Sequence, residues 1–287
     1  MLGYLIRIVF RLLKDSIHFM HPMPINNHGS EIPTLRQALM LDQGGVICLV
    51  GAGGKTSLMF RLARELTLPG ERVLATTTTK ISEQEAIASS PQVIIGSAAT
   101  LLRQFDGLGQ AGFITAARSG RERKLLGFAA EDIHHLWDAG VFKWIIVEAD
   151  GAARLPLKVP DDHEPVIPAC CHQVIGVAGL TALNKPLTNQ WVFRLPLFAR
   201  LTDLSPGDRI TPGAVAVSLS HPRGIFKGSP TQARQIVLLN QAETATGLEA
   251  GRLVIEELAA RERPATLQRA ILGQLNYDPP VIECFDF

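Results

Sequence analysis

The stretch VICLVGAGGKTSLMFRL, residues 46–62, joins an apolar run to a helical pattern through glycines, a lysine and a threonine. Its first part, VICLV (46–50), is continuously apolar, which is typical of a strand buried on both faces. Glycines let backbone N–H groups close around phosphate oxygens, and the start of a helix adds a positive field. We therefore predict a phosphate-binding loop whose nucleotide-binding residues are Gly51, Ala52, Gly53, Gly54, Lys55, Thr56 and Ser57.

The predicted loop is shorter than the usual phosphate-loop motif. That motif, GxxxxGK followed by Ser or Thr, would place its first glycine at position 49, which is Leu49. The spacing here is GxxGK followed by Thr, which resembles the compact loop of Mur-type ligases. We expect Lys55 to bridge the outer phosphates of a nucleotide and the hydroxyl of Thr56 to bind Mg²⁺.

Short apolar runs alternate with helical patterns along the rest of the chain. The predicted strands are 46–50, 72–78, 92–96, 112–117, 144–149, 173–179, 235–240 and 268–275, and the predicted helices include 57–68, 131–139, 210–222 and 244–262. Strand–helix alternation is typical of a parallel sheet covered by helices on both faces. The predicted fold is therefore an α/β, doubly wound, mostly parallel sheet of P-loop NTPase type, with a small helical insertion at about 180–232.

Composition and the N-terminal segment narrow the possible classes of protein. The 287 residues are 46% hydrophobic and 19% charged, as in ordinary globular enzymes, and a net charge of +1 with 6% aromatics disfavours nucleic-acid binding.

Charged residues interrupt the apolar N-terminal segment too often for a membrane span. We treat residues 1–30 as an extension that need not belong to the predicted domain, 31–287. Four cysteines without a CxxC pair fit a cytoplasmic location.

A second motif, WIIVEADGA (144–152), is an apolar strand that ends in two carboxylates and a glycine. In phosphate-loop enzymes such a strand places an acid near the metal and the attacking water. Glu148 and Asp150 are two positions apart, so on an extended strand both side chains would leave the same face. We expect Lys55, Glu148 and Asp150 to be catalytic, and Thr56 and Asp150 to bind the metal.

Two polar segments are expected at the same edge of the sheet, where ligands bind in open α/β folds. The segment VLATTTTKI (73–81) offers hydroxyls and a lysine to an anion, and the loop 150–168 directly follows the acidic strand. Arg154 or Lys158 is expected to stabilise a transferring phosphate, and His163 to act as a ligand or general base. The predicted substrate or switch residues are Thr78, Thr79, Lys80, Arg154, Lys158, His163 and Glu164.

The segment IVLLNQAE (236–243) resembles the N-K-x-D segment by which GTPases read guanine, with Gln241 in place of Lys and Glu243 in place of Asp. Asn240 and Glu243 are therefore predicted to contact the base. Because two of the motif's positions differ, the choice between GTP and ATP stays open.

Taken together, GAGGKTSLMFRLA, VLATTTTKI, VEADGAARLPLKVPDDHEPVIP, VIGVAGLTALNKPL and VLLNQ resemble the selenium-dependent hydroxylase accessory proteins, the YqeC-like family. The resemblance covers residues from about 35 to about 280. The acidic loop with its K-x-P-x-x-H-E-P continuation is the most specific part. It implies a P-loop NTPase-like fold and a role in maturing selenium-dependent molybdenum hydroxylases. The site residues that it implies are 51–56, 76–80, Glu148, Asp150, Lys158, His163 and Glu164.

Three functions are compatible with these patterns. The first is a Mg²⁺-dependent NTPase, using ATP or GTP, that serves an apo molybdenum hydroxylase or its cofactor-delivery proteins. The second is a small-molecule kinase or a Mur-like ATP-dependent ligase. The third is a non-catalytic, nucleotide-gated chaperone. In each case the ligands are a nucleoside triphosphate and Mg²⁺, and neither nucleic acid nor an integral membrane span is expected.

Overall fold

Nine strands form the central sheet of the protein, whose computed structural model describes residues 32–105 and 112–287. The predicted extension, residues 1–30, lies outside the described part of the chain. The strands are β1 (Gly45–Gly51), β2 (Val73–Thr77), β3 (Lys80–Ser82), β4 (Val93–Ile95), β5 (Phe113–Ala117), β6 (Ser119–Arg121), β7 (Lys124–Leu126), β8 (Trp144–Glu148), β9 (Leu157–Lys158), β10 (Gln173–Gly179), β11 (Val192–Phe193), β12 (Arg234–Asn240), β13 (Leu267–Gly273) and β14 (Val281–Asp286).

Eight α-helices and one short 3₁₀-helix (Leu180–Ala182) connect these strands within the described residues. They are α1 (Leu35–Ala38), α2 (Lys55–Leu66), α3 (Glu83–Ser89), α4 (Ala98–Phe105), α5 (Ala130–Asp138), α6 (Leu195–Thr202), α7 (Pro212–Ser220) and α8 (Ala245–Ala259). None of these helices is both long and apolar enough to cross a bilayer.

The central sheet runs in the order β14-β13-β12-β10-β1-β8-β2-β5-β4. Neighbouring strands are parallel throughout, except that β14 pairs antiparallel with β13. All eight predicted strands lie in this sheet, which confirms the mostly parallel α/β fold. The antiparallel edge strand β14 was not predicted.

Both faces of the sheet are buried, which explains why the strand runs are continuously apolar. In β1, Val46 and Val50 pack into one hydrophobic cluster, whereas Ile47 and Leu49 pack into the other. The first cluster receives side chains from α4 to α8, and the second from α1, α2 and α3. Helices therefore cover the two faces, as alternation of strands and helices requires.

The segment between β10 and β12 contains the 3₁₀-helix, β11, α6 and α7. At the start of α7 the side chain of Thr211 accepts a hydrogen bond from the Ala214 N–H at 3.1 Å, and Pro212 occupies the first helical position. The strand β11 pairs in parallel with β9. This pairing attaches the segment to the loop that follows the acidic strand β8, and so brings it close to the site.

Parallel strands place their carboxyl ends at one edge of the sheet. The ends of β1, β8 and β2 are neighbours there, with β10 and β12 on the other side of β1. Two smaller sheets, β3-β7-β6 and β11-β9, lie in the connections that leave this edge. The predicted loop and the acidic motif therefore come together through topology.

Candidate functional site

The turn from β1 into α2 depends on its glycines. Gly51, Gly53 and Gly54 have φ values of 90°, 83° and 139°, which side chains with a Cβ rarely adopt. A Cβ on Gly53 would lie 2.4 Å from the Gly179 nitrogen, and one on Gly54 would lie 2.5 Å from the Asn240 Nδ2. Both the backbone conformation and the surrounding atoms therefore require glycine.

The N–H groups of this turn divide into two sets. Those of Ala52 and Gly53 donate to the carbonyls of Val177 at 2.8 Å and Leu155 at 3.0 Å, so they hold the loop itself. The N–H groups of the first helical turn, residues 55–57, have no partner within a helix, and these residues line an open cleft. An anion in the cleft would thus bind the N–H groups at the start of α2 rather than the N–H group of Gly53.

Lys55 points back toward the end of β1. Its Nζ donates to the Gly51 carbonyl at 2.6 Å and lies 3.1 Å from Asp150 Oδ1. The other carboxylate oxygen of Asp150 accepts from the Gly51 N–H at 3.0 Å and lies 2.9 Å from Lys158 Nζ. Asp150 is fully buried. It therefore anchors the loop and neutralises two lysines.

The ion pairs continue away from the loop. Lys158 Nζ also donates to Glu164 Oε2 at 2.7 Å, and Arg194 donates to both oxygens of Glu164 at 2.6 and 3.1 Å. Burial by itself would raise the pKa of Glu164, but the hydrogen bonds from Lys158 and Arg194 outweigh it and hold the pKa below its ordinary value. We call Asp150, Lys158, Glu164 and Arg194 the rear network, because it lies behind the loop.

Glu148 has a different environment. It ends β8, lines the cleft, and its Oε2 accepts a hydrogen bond from the Thr56 hydroxyl at 2.8 Å. Burial raises the pKa of Glu148, and the opposing pull of Lys55 and of the Thr56 hydroxyl does not cancel the rise. A hydroxyl next to a carboxylate is an oxygen donor pair that suits Mg²⁺. We call Thr56 and Glu148 the front pair.

The two carboxylates of the acidic motif were expected to share a face, and to place Asp150 on the metal. The strand β8 ends at Glu148, so its alternation does not extend to Asp150. Asp150 does not line the cleft, and its oxygens face Lys55, Lys158 and a backbone N–H. The metal role expected for Asp150 stays a prediction, although lysines already lie beside both oxygens of its carboxylate.

The cleft in front of the loop has a volume of about 800 Å³. Of the predicted residues, the structure brings the following to its wall: Gly53, Gly54, Lys55, Thr56, Ser57, Lys80, Glu148, Arg154 and Asn240. Gly51 and Ala52 instead form the junction between β1 and the loop. Arg154 donates to Glu85 of α3 at 2.7 Å across the cleft wall.

Other predicted residues lie outside this wall. Thr78 donates to the Val166 carbonyl at 2.7 Å, and Thr79 interacts with Thr77. His163 and Glu243 are exposed and do not line the cleft. Lys158 and Glu164 belong to the rear network. The structure therefore separates the predicted switch residues into cleft-lining, bracing and exposed groups.

Asn240 braces the loop with both ends of its amide. Its Nδ2 donates to the Gly53 carbonyl at 2.8 Å, and its Oδ1 accepts from the Leu275 N–H at 3.0 Å. These bonds use one of the two amide N–H donors and one of the two lone pairs of Oδ1, which leaves less of the amide for a base. The side chain still lines the cleft, but its two hydrogen bonds hold Gly53 against Leu275, in the segment after β13.

Several residues of the cleft were not predicted. Arg61 and Arg64 lie on α2 one to three turns after the loop, and Lys124 comes from β7. The two arginines could have been found from helical spacing, since they lie four and seven positions after Ser57 on the predicted helix 57–68. Lys124 carries no such signal, because a hairpin more than 60 residues away in the chain brings it to the cleft.

Within the described residues, no three His, Cys, Asp or Glu side chains cluster as a metal site. A phosphate-loop site does not use such a cluster, since one hydroxyl and one carboxylate hold Mg²⁺ there together with phosphate oxygens and water. The front pair supplies that hydroxyl and that carboxylate.

Comparison of the sequence with those of known proteins places the chain in a family. Residues 47–196 match the family model described as YqeC protein. Over 211 residues the chain is 35% identical to a protein of Escherichia coli (strain K12) described as "Uncharacterized protein YqeC", covering 71% of this chain and 80% of that relative. The matched range of the family model contains the loop, both carboxylates and the rear network as far as Arg194.

Proposed function

The chain belongs to the YqeC family, and we propose that it is a P-loop NTPase that binds a nucleoside triphosphate with Mg²⁺ in the cleft. One observation carries the proposal. A buried strand turns through obligate glycines into α2, whose Thr56 lies 2.8 Å from the carboxylate that ends the neighbouring strand β8. This is the arrangement that holds a triphosphate and its metal in phosphate-loop enzymes.

Each part of the site has a role in this proposal. The N–H groups at the start of α2 donate hydrogen bonds to the phosphate oxygens, and Lys55 neutralises the phosphate charge. Thr56 and Glu148 hold Mg²⁺, which when bound withdraws charge from the phosphate oxygens. Glu148 also orients the attacking water through its free oxygen. Catalysis would come mainly from placement and electrostatics rather than from covalent chemistry.

The wider role follows from the family resemblance alone. We propose that the NTPase acts as a maturation factor for a selenium-dependent molybdenum hydroxylase, with the apo-enzyme or its cofactor-delivery proteins as partners. Hydrolysis that an apo-hydroxylase accelerates would support this role. Tight nucleotide binding without turnover, in the presence of that partner, would instead favour a nucleotide-gated chaperone.

A second candidate is a small-molecule kinase or a Mur-like ligase. It is favoured by the compact loop spacing and by the positive residues on the wall facing the loop. Lys80 and Lys124 lie on neighbouring strands of the small sheet and both line the cleft. An acidic acceptor would be attracted there. A product whose formation depends on an added small molecule would select this candidate over the NTPase.

A thermal-shift panel tests nucleotide binding directly. ATP, GTP, CTP and molybdopterin nucleotides are each added with Mg²⁺ and with EDTA. A ligand at a hundred times its Kd stabilises the folded state by about 2.7 kcal/mol, which raises the melting temperature by roughly 5–10 °C. We expect a triphosphate with Mg²⁺ to give the largest rise. No rise with any triphosphate at millimolar concentration would contradict the proposal.

A further inference from the structure

Asp150 is shared by two lysines, although only one of them lines the cleft. Lys55 lies 3.1 Å from one of its oxygens and Lys158 lies 2.9 Å from the other. If Lys55 neutralises the phosphates of a nucleotide, its ammonium group has to leave Asp150. A buried carboxylate that loses its cation is strongly destabilised, because neither water nor a counter-charge replaces it.

Lys158 is the cation that stays. Its side chain is completely buried, and its Nζ donates to the Gly151 carbonyl at 2.6 Å and to Glu164 at 2.7 Å, while it forms an ion pair with Asp150 at 2.9 Å. Two of the three ammonium donors are thus bound to protein oxygens. Lys158 is therefore fixed beside Asp150, and its side chain does not line the cleft.

The position of Lys158 does not depend on Lys55. Glu164, its second carboxylate, is held by a two-point contact from Arg194 at 2.6 and 3.1 Å. Arg194 directly precedes α6, and the neighbouring Phe193 belongs to β11, which pairs with the strand that contains Lys158. The fold thus secures one cation of the pair while the other lies next to the open cleft.

We propose that Lys158 is a positioning residue for Lys55. By remaining on Asp150, it keeps that carboxylate neutralised and lets the Lys55 ammonium group move to the phosphates. This inference rests on the proposed nucleotide binding, and it gives the rear network a role in function as well as in stability.

The replacement Lys158→Met tests the inference, since it keeps an unbranched side chain and removes the charge. Lys55 becomes the only lysine on Asp150 and is held there. We expect the affinity for the Mg²⁺ complex of ATP or GTP, whichever the wild type binds more tightly, to fall by about tenfold or more in a calorimetric titration. The control Lys185→Met, an exposed lysine outside the cleft, should bind as the wild type does.

A rescue variant separates positioning from structural damage. In Lys158→Met combined with Asp150→Asn, the carboxylate is removed with its cation, so nothing holds Lys55 back. We expect nucleotide affinity to return to within about threefold of the wild type, a non-additive result that damage to the fold would not produce. A double variant that binds as weakly as Lys158→Met would overturn the inference.

The single variant Asp150→Asn gives an independent result if Lys158→Met does not fold. It removes the anion that competes for Lys55, and Lys158 retains Glu164. Nucleotide affinity should stay equal or rise, and a fall of about tenfold would overturn the inference. Wild-type protein that binds no nucleotide would refute the proposed function together with this inference. Wild-type binding with unchanged affinity in Lys158→Met would refute the inference alone.

Discussion

The front pair and the rear network both begin at the end of β8, yet they are built for different tasks. In front, Glu148 meets the Thr56 hydroxyl and lines the cleft. Behind, Asp150 is fully buried and meets two lysines. Two carboxylates only two positions apart therefore differ in what they can still bind. Glu148 faces the cleft, whereas Asp150 is already neutralised by two lysines.

Lys55 contacts Asp150 of the rear network and also lines the cleft beside the front pair, so its removal should have the largest effect. In Lys55→Ala the phosphates lose a charge-assisted contact worth about 3 kcal/mol, so affinity for a Mg²⁺–nucleotide should fall by about a hundredfold. Calorimetric titration with ATP and GTP measures the change. Lys185→Ala is the matched control. Retained micromolar binding in Lys55→Ala would refute the role of this lysine.

A pair of isosteric variants tests which of the two carboxylates binds Mg²⁺. Glu148→Gln removes the negative ligand from the front pair, so the gain in affinity from Mg²⁺ should shrink by about tenfold. Asp150→Asn should keep that gain. Nucleotide titrations with Mg²⁺ and with EDTA measure it for both. The opposite pattern, in which only Asp150→Asn loses its response to Mg²⁺, would identify Asp150 as the metal ligand.

The rear network should affect stability in a pH-dependent way. Because the pKa of folded Glu164 is depressed, its carboxylate stabilises the fold above the unfolded-state pKa of about 4.3. This contribution is lost as the pH falls through the lower folded-state value. Glu164→Gln should therefore lower the free energy of unfolding by about 1–2 kcal/mol at pH 7.

Urea unfolding at pH 7 and at pH values below 4 tests this expectation. The difference between the wild type and Glu164→Gln should narrow as the pH falls. Glu243→Gln, an exposed glutamate outside the cleft, is the control and should change little at either pH. A difference that widens in acid would contradict the ion pairing of Glu164.

The smallest effect is expected for Asn240→Ala. The side chain braces Gly53 and Leu275, so its loss should weaken nucleotide binding through the loop, by about threefold, and equally for ATP and GTP. Titrations with both nucleotides measure the ratio of affinities. A loss confined to GTP would show that Asn240 reads the base after all.

Much of the fold could be predicted from sequence, because its signals are local. Most of the eight predicted strands contain a continuous apolar run of a few residues, and the glycines after β1 mark a turn into a helix. The edge strand β14 gave no such signal, since VIECFD mixes apolar and charged residues and its antiparallel pairing depends on β13. The P-loop NTPase type of the fold and the binding of a metal stay predictions.

The different environments of the site residues depend on contacts between residues that are far apart in the sequence. Asn240 reaches Gly53 across 187 positions, and Arg194 reaches Glu164 across 30. The alternation rule treated Glu148 and Asp150 alike, because a sequence does not reveal that the strand ends between them. Which of two neighbouring acids is neutralised by lysines depends on three-dimensional packing, and a motif does not contain that information.

A crystal structure with Mg²⁺ and a non-hydrolysable triphosphate analogue tests the account most directly. It should place Lys55 Nζ within about 3 Å of a phosphate oxygen and away from Asp150, with Lys158 still on Asp150. The metal should lie between Thr56 and Glu148. An analogue bound outside the cleft, or a metal coordinated by Asp150, would contradict the account.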